Sequence, residues 1–218
     1  MANIDYKQRE LFHGNQLLTI GTLTATNTIS DVFIGTGLVS VSAMEDDADI
    51  QNFAADDVAD HATIAGASLL KGTLKFIQLD PDVRIKFFGQ DTTASGAGYA
   101  NSGVYPKRAV QYVTLGQTRD GHKAAMVTVY PSMSLTGKPT KSTETDSSDK
   151  PTAVNWEAKV QAGGSEYYTT KNGVKAPEFE YMFYGDDVDK VIADIKKGTI
   201  VTPNYKPTAT VASAGGPQ

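Results

Sequence analysis

The sequence contains no cysteine, and it has one tryptophan and three histidines in 218 residues. Without cysteine the chain has no disulfide framework, no thiolate metal site and no cysteine nucleophile, which fits assembly in a reducing cytoplasm. Uninterrupted apolar runs stay well below the roughly 20 residues that a membrane-spanning helix needs. The N-terminal residues lack the pattern of a signal peptide, in which an apolar stretch follows basic residues, so we expect neither a targeting segment nor a membrane anchor.

Basic residues are also in short supply, since 20 Lys and Arg face 25 Asp and Glu for a net charge of −5. Affinity for DNA comes mainly from basic side chains that neutralise phosphates, so any contact with DNA should be transient and non-adhesive. The hydrophobic fraction of 40% and the charged fraction of 21% are those of an ordinary folded protein. We predict one β-rich domain over residues 1–200 and an extended C-terminal arm over residues 201–218, where proline and glycine are frequent.

Alternation of apolar and polar residues with period two dominates the chain and predicts a mainly β fold. The clearest case is Val154–Gln161, in which every even position is apolar and every odd position is polar. Between Arg108 and Leu135, two β-like runs flank Asp120-Gly121, a pair that suits a tight hairpin turn. Further predicted strands are Leu17–Ala25, Leu38–Met44, Gly72–Leu79 and Phe179–Tyr184.

Two segments have the features of helices. Residues Asp186–Lys197 place apolar side chains at helical spacing, with carboxylates in the first turn, lysines in the last and Gly198 after it. Asp80-Pro81 resembles an N-cap followed by proline at the first helical position, which predicts a short helix that runs towards Phe88.

Two internal segments are predicted to be irregular and exposed. Glu45–Asp60 contains seven acidic residues and no Lys or Arg, so its carboxylates would repel one another in a core. The segment 138–152 is a polar tract rich in Thr, Ser, Asp and Lys.

A search for catalytic and ligand-binding motifs predicts no cofactor and no metal. The three histidines, His13, His61 and His122, lie far apart in the sequence. None has a carboxylate or a second histidine at the spacing that a metal site on a helix or hairpin needs. Glycine pairs lack the third glycine of a dinucleotide fingerprint, no phosphate-binding Gly-Lys-Ser/Thr sequence is present, and no serine has the flanks of a hydrolase nucleophile.

Two other functions remain open at this point. The acidic pairs Asp46-Asp47 and Asp56-Asp57 are candidates for a carboxylate-dependent hydrolase, although neighbours on an extended chain point in opposite directions. Trp156, together with the aromatic run of Phe179–Tyr184, is a candidate platform for a carbohydrate- or receptor-binding β-sandwich, although alternating aromatics on strands are more often core.

The order of segments resembles the major tail protein family of siphophages. The resemblance is carried by Leu38-Val39-Ser40-Val41-Ser42-Ala43-Met44 before the acidic stretch, and by Ala109–Leu115 joined through Asp120-Gly121 to Met126-Val127-Thr128-Val129-Tyr130-Pro131. It continues in Leu135-Thr136-Gly137-Lys138, the Thr/Ser/Asp tract and Ala153-Val154-Asn155-Trp156-Glu157-Ala158-Lys159. The match spans residues 38–184.

This resemblance implies a β-sandwich or split barrel of two packed sheets with flanking helices, in a structural virion protein that is not an enzyme. It implies that six copies close into a ring and that rings stack into a tail tube for genome passage. The partners would be other copies of the chain and the tape measure, distal tail and terminator proteins of the tail. The acidic stretch and the arm would then contact neighbouring subunits through Glu45, Asp46, Asp47, Asp49, Phe53, Asp56, Asp57, Pro203, Tyr205 and Pro207.

Overall fold

Strands make up most of the chain in the computed structural model, which describes residues 10–48, 50–55, 58–65, 67–143 and 154–207, with backbone alone for 50–55 and 58–65. The strands are β1 Glu10–Ala25, β2 Thr28–Gly35, β3 Leu38–Val41, β4 Glu45–Asp46, β5 Ile50–Ala55, β6 Val58–Ala65, β7 Leu69–Phe76, β8 Gln90–Thr92, β9 Tyr99–Asn101, β10 Arg108–Thr118, β11 Lys123–Leu135, β12 Thr140–Ser142, β13 Asn155–Gly163 and β14 Phe179–Tyr184. The helices are the α-helix α1, Asp186–Lys196, and a π-helix, Val83–Phe87. The prediction of a mainly β fold is confirmed.

One sheet of ten strands organises the molecule. Its path runs β2-β1-β10-β11-β13-β7-β3. Three further strands pair with members of this path: β12 with β13, β14 with β11, and β4 with β7. Only Thr36-Gly37 separates the two strands at the ends of this path, β2 and β3, in the chain. The ends of the sheet must therefore lie close together, so the sheet curls into a barrel that is split between β2 and β3.

The Thr36-Gly37 link is fixed by contacts with the segment after β7. The Thr36 amide donates to Asp80 Oδ2 at 2.6 Å, and the Ile77 amide donates to the Gly37 carbonyl at 2.9 Å. Gly37 has φ +82°, and a Cβ at this position would lie 2.4 Å from the Gln78 carbonyl oxygen. Glycine is therefore required at the point where the barrel closes.

The inside of the curled sheet is filled by the first of two hydrophobic clusters, which we call the barrel core. It includes buried side chains from β1, β7, β10, β11 and β13, such as Ile20, Leu74 and Val160. Phe87 and Phe88 at the end of the π-helix are fully buried in this core, with the Phe88 ring edge-on to Phe76 at 5.7 Å. The π-helix thus closes one end of the barrel.

The second cluster, which we call the helix core, lies on the outer face of β1, β10 and β11. The helix α1 buries Val188, Val191 and Ile195 here. The same core receives Phe179, Tyr181 and Phe183 from β14.

A bulge at Pro131 allows β11 to serve both cores. Arg108 on β10 pairs with Met133 and Val110 pairs with Tyr130, so β11 has an extra residue between them. Val127 and Val129 therefore face the helix core, whereas Tyr130, Met133 and Leu135 face the barrel core. An extra residue in one strand shifts its alternation by one position and bends it.

Several predicted elements are confirmed. These are the β10–β11 hairpin around Asp120-Gly121, the strand β14 and the helix α1, which ends at Lys196 before Gly198 at φ +90°. The short helix after Asp80 is present as the π-helix, and the strand predicted at Gly72–Leu79 lies three residues earlier at both ends.

The prediction of an irregular segment over Glu45–Asp60 is wrong for its backbone. β5 and β6 form an antiparallel hairpin, with Ala55 paired to Val58, and β4 pairs with β7. Asp47 and Asp49 precede β5 in sequence, and Asp56-Asp57 stand between β5 and β6, so Asp60 is the only acid within these two strands. In the tract predicted to be irregular over 138–152, residues 140–142 form β12.

Candidate assembly surfaces

A four-stranded part of the sheet has two free edges. Residues 10–17 of β1, the second half of β10, the first half of β11 and the whole of β14 lie side by side in that order, each antiparallel to the next. β2 pairs with β1 only from Leu18 onwards. Within the described residues, the outer edge of residues 10–17 and the outer edge of β14 therefore have no strand partner. We call this part of the sheet the open sheet.

The open sheet has one face on the helix core and another, the open face, on which Met182 and Tyr184 of β14 are 43% and 44% exposed. Tyr184 reaches across the sheet and donates a hydrogen bond to Glu10 on β1 at 2.5 Å. This hydrogen bond raises the pKa of Tyr184, so the hydroxyl remains a donor. The strand register places the following residues on this face, of which Ala124 and Thr128 are buried: Glu10, Phe12, Asn15, Thr114, Gly116, Thr118, Ala124, Met126, Thr128, Glu180, Met182 and Tyr184.

Charge on the open face is sparse and of one sign. Glu10 and Glu180 are its carboxylates, and none of the described residues assigned to this face is Lys or Arg. Sequence reasoning missed this surface, because it joins strands from opposite ends of the chain.

Two of the predicted contact residues, Asp46 and Asp47, are used within the chain. Asp46 accepts hydrogen bonds from the amides of Ala48 and Leu69 at 3.0 and 3.3 Å and from the Ser68 hydroxyl at 2.9 Å. Asp47 forms an ion pair with Lys71 of β7. These contacts fix both ends of the segment that carries the β5–β6 hairpin, so neither carboxylate has the free, converging partner that a hydrolytic pair needs.

The other acidic contact residues are placed only in part. Glu45 is exposed on β4 and pairs with Lys71 through the backbone. Phe53 lies in β5, of which the backbone alone is described. Asp49, Asp56 and Asp57 lie outside the described residues, and Asp56-Asp57 occupy the chain between β5 and β6.

The first part of the predicted C-terminal arm is packed on the chain's own helix core. The Tyr205 hydroxyl donates to Asp194 of α1 at 2.7 Å, and its ring meets Phe183 edge-on at 6.0 Å. Pro203 and Pro207 are half-buried on either side of it. Residues 208–218 lie outside the described residues.

Two fully buried side chains hold the segment before Tyr205. Gln111 of β10 donates to the Thr199 carbonyl at 3.3 Å and accepts from the Val201 amide at 2.7 Å. Tyr168 donates to the Val201 carbonyl at 2.6 Å, and its hydroxyl also lies 2.7 Å from that of Tyr181. Burial raises the pKa of Tyr168, which keeps its hydroxyl protonated.

The aromatic residues considered as a sugar platform do not form one surface. Tyr181 and Phe183 face the helix core, as the interpretation of these residues as core predicts, and Tyr184 faces the open face. Trp156 lies instead at the end of the barrel, where Phe76 is its partner on β7. No described contact joins it to the β14 aromatics.

The described residues contain no group of three or more histidine, cysteine or carboxylate side chains placed to hold a metal ion. His13 and His122 are exposed, and the side chain of His61 is not described. None of the helices in the described ranges is long and apolar enough to cross a membrane.

A curled β-sheet with unpaired edges and one flanking helix defines a class of β protein suited to self-association. The family model for phage tail tube proteins matches residues 1–212, and the chain belongs to that family. It is 34% identical over 220 residues to the tail tube proteins of Lactococcus phages SK1 and p2, an alignment that covers 97% of this chain and 72% of each relative. The protein is therefore a structural component of the virion, a major tail protein.

Proposed function

We propose that six copies of this chain close into a ring and that rings stack into the tail tube of a siphophage, through which the genome passes into the host. The proposal is supported by membership of the tail tube family and by the two free edges of the open sheet. Unpaired strand edges present rows of N–H and C=O groups that favour pairing with another chain. Pairing between identical copies satisfies both edges in a closed ring.

The strand directions fit such a ring. The open sheet has four strands in antiparallel order, so β14 of one copy lies antiparallel to β1 of the next when the copies are related by rotation. Six open sheets with strands about 4.8 Å apart give a circumference of about 115 Å and a backbone diameter of about 37 Å. This width leaves a channel inside the ring once side chains are added.

The open face is the proposed wall of the channel. The helix core covers the other face of the open sheet, so the open face is the one available to line a lumen. Glu10 and Glu180 would give it a weakly negative surface, which repels phosphates and allows DNA to slide without adhesion.

The acidic hairpin and the arm are the proposed contacts between stacked rings. Glu45, Asp49, Phe53, Asp56 and Asp57 belong to the hairpin segment, while Asp46 and Asp47 position its base. Pro203, Tyr205 and Pro207 belong to the arm. Tape measure, distal tail and terminator proteins are the proposed partners at the interior and ends of the tube, which would assemble in the host cytoplasm.

Cross-linking across the β1 and β14 edges tests the ring. Because the chain has no cysteine, Phe12→Cys and Met182→Cys together introduce one thiol on the open face of each edge strand. With a short bis-maleimide, the assembled protein should give a ladder of products that ends at the hexamer in denaturing gels.

The matched control moves the first thiol by one residue, to Leu11→Cys with Met182→Cys. Leu11 points to the opposite face of β1, so cross-linking should be much weaker. Tubes seen by negative-stain microscopy whose Phe12/Met182 cysteines do not cross-link would rule out pairing of these edges. A monomer at all concentrations would rule out self-assembly.

A further inference from the structure

The two ends of strand β7 carry different surfaces. Its first residues, Leu69–Lys71, lie beside Asp46 and Asp47 at the base of the β5–β6 hairpin. Its last residue, Phe76, pairs with Trp156 at the end of the barrel that the π-helix closes. The strand has eight residues, which separates the two surfaces by about 25 Å.

Cations and aromatic rings meet at the second of these ends. The Arg84 guanidinium of the π-helix lies 4.9 Å from the ring centre of Tyr99 and 5.4 Å from that of Trp156. The Lys141 ammonium of β12 lies 6.0 Å from the Trp156 ring centre on the same indole. We call these four residues the receiver cluster.

The two cations of the receiver cluster lack a carboxylate partner within the described ranges. The described ion pairs leave out both Arg84 and Lys141, and the polar contact of Arg84 is a 3.4 Å hydrogen bond to Gln90. Glu157, the acidic neighbour of Trp156, is paired with Lys75 at 2.8 Å. Exposed or half-buried Arg and aromatic side chains are enriched at protein interfaces.

The hairpin at the other end has the opposite charge. Between Glu45 and Leu70 the sequence contains no Lys or Arg, and Asp56-Asp57 stand between the paired residues Ala55 and Val58. Lys71, the nearest basic residue along the chain, is paired with Asp47 at the base of the hairpin, so the hairpin segment carries a net negative charge.

We propose that the receiver cluster binds the acidic β5–β6 hairpin of a second copy of this chain, with Asp56 and Asp57 facing Arg84 and Lys141. This inference rests on the proposed stacking of rings. Complementary surfaces at opposite ends of β7 make a head-to-tail contact, which repeats along an axis without closing. Desolvation of Trp156 and Tyr99 under the hairpin would strengthen the charge pairs above them.

Three variants test the contact. The receiver variant carries Arg84→Gln and Lys141→Glu, and the hairpin variant carries Asp56→Lys and Asp57→Lys. Each places like charges at the contact, so each should form rings but raise the critical concentration for tube growth at least about tenfold. The third variant combines all four changes and should regain tubes.

Mixing the two defective proteins gives a sharper test. In an alternating stack, the acidic hairpin of the receiver variant meets an unchanged receiver cluster, and the lysine hairpin of the other variant meets a changed one. Every contact is then complementary, so an equimolar mixture of preformed rings should grow tubes that neither protein forms alone. Lys171→Glu changes an exposed lysine at a turn outside the cluster and should leave growth unchanged.

Trp156 provides a separate readout, because it is the only tryptophan in the chain. Its emission should shift to shorter wavelength when wild-type rings stack and should not shift in the receiver variant. Circular dichroism and the melting temperature establish that the variants are folded. Folded receiver variants that form tubes at the wild-type concentration would overturn the receiver cluster while leaving ring stacking intact, whereas wild-type protein that never stacks would overturn both.

Discussion

Buried polar side chains tie the C-terminal segment to the helix core at the scale of single residues. From the sequence, Gln111 is an ordinary polar residue of a strand. In the structure it is fully buried, and its side-chain amide forms hydrogen bonds with the backbone of Thr199 and Val201. A buried amide is tolerated in a core only when its donors and acceptors are paired. Gln111 therefore acts as a clamp on the chain after α1.

Replacing the clamp should destabilise the protein. Gln111→Leu leaves the buried Val201 amide without its partner, at about 1–3 kcal/mol, and removes the weaker bond to the half-buried Thr199 carbonyl, at about 0.5–1.5 kcal/mol. We expect the free energy of unfolding to fall by about 2–4 kcal/mol, measured by urea denaturation of the unassembled protein. Gln117→Leu, at an exposed position of the same strand, is the control and should change it little. Equal stability of the two variants would contradict the clamp.

Asp46 and Asp47 show how much of a residue's role can be predicted from its identity alone. Their acidity marked them correctly as notable residues, but the sequence suggested contact or catalytic roles. Apart from the Ala48 amide, their partners within the chain, Ser68, Leu69 and Lys71, lie more than 20 positions along the chain. Such partners become visible only when strand pairing is known.

At the scale of elements, periodicity was a reliable guide where a strand or helix has one buried face. α1 is correctly predicted because its helical spacing is uninterrupted, and β14 because its residues are mostly aromatic, a composition that favours strands. β1 was found only from Leu17, because Gly14 and Leu17, both at positive φ, break its alternation before that point. β2, β8 and β9 were missed, since β8 and β9 are short and most of their residues are exposed.

A charge on the buried side of α1 tests the helix as an element. Val191 is fully buried in the helix core, so Val191→Asp should cost several kcal/mol and unfold or disassemble the protein. Ala193→Asp places the same side chain on the exposed side of the same helix and should be tolerated. Thermal melting followed by circular dichroism distinguishes them, and a wild-type melting temperature for Val191→Asp would refute the buried stripe.

At the scale of the whole molecule, the proposed assembly surfaces were only partly predictable from sequence. The acidic segment was recognised from its composition, although not as a hairpin, whereas the open sheet brings Glu10 of β1 to Tyr184 of β14. No local pattern links residues so far apart in sequence. The resemblance to tail proteins supplied the function that periodicity could not.

Deleting the last eleven residues of the arm tests its role in assembly. Removal of Thr208–Gln218 leaves Tyr205 and its contacts with Asp194 and Phe183 in place, so the melting temperature should stay near that of the full chain. We expect shorter or fewer tubes in negative-stain micrographs at equal concentration. Removal of Pro203–Gln218, which also takes Tyr205, is the comparison and should lower the melting temperature. Normal tube growth by the shorter deletion would refute a role for residues 208–218.

The docking of residues 199–205 also bears on how the polypeptide is made. Synthesis proceeds from the N-terminus, so β1, β10 and β11 leave the ribosome well before the segment that Gln111 and Tyr168 hold. Until that segment emerges, a nascent chain has an incomplete helix core and exposes apolar surface, the condition under which partly folded chains aggregate. The subunit therefore has a complete helix core only once residues 199–205 have docked against Gln111 and Tyr168.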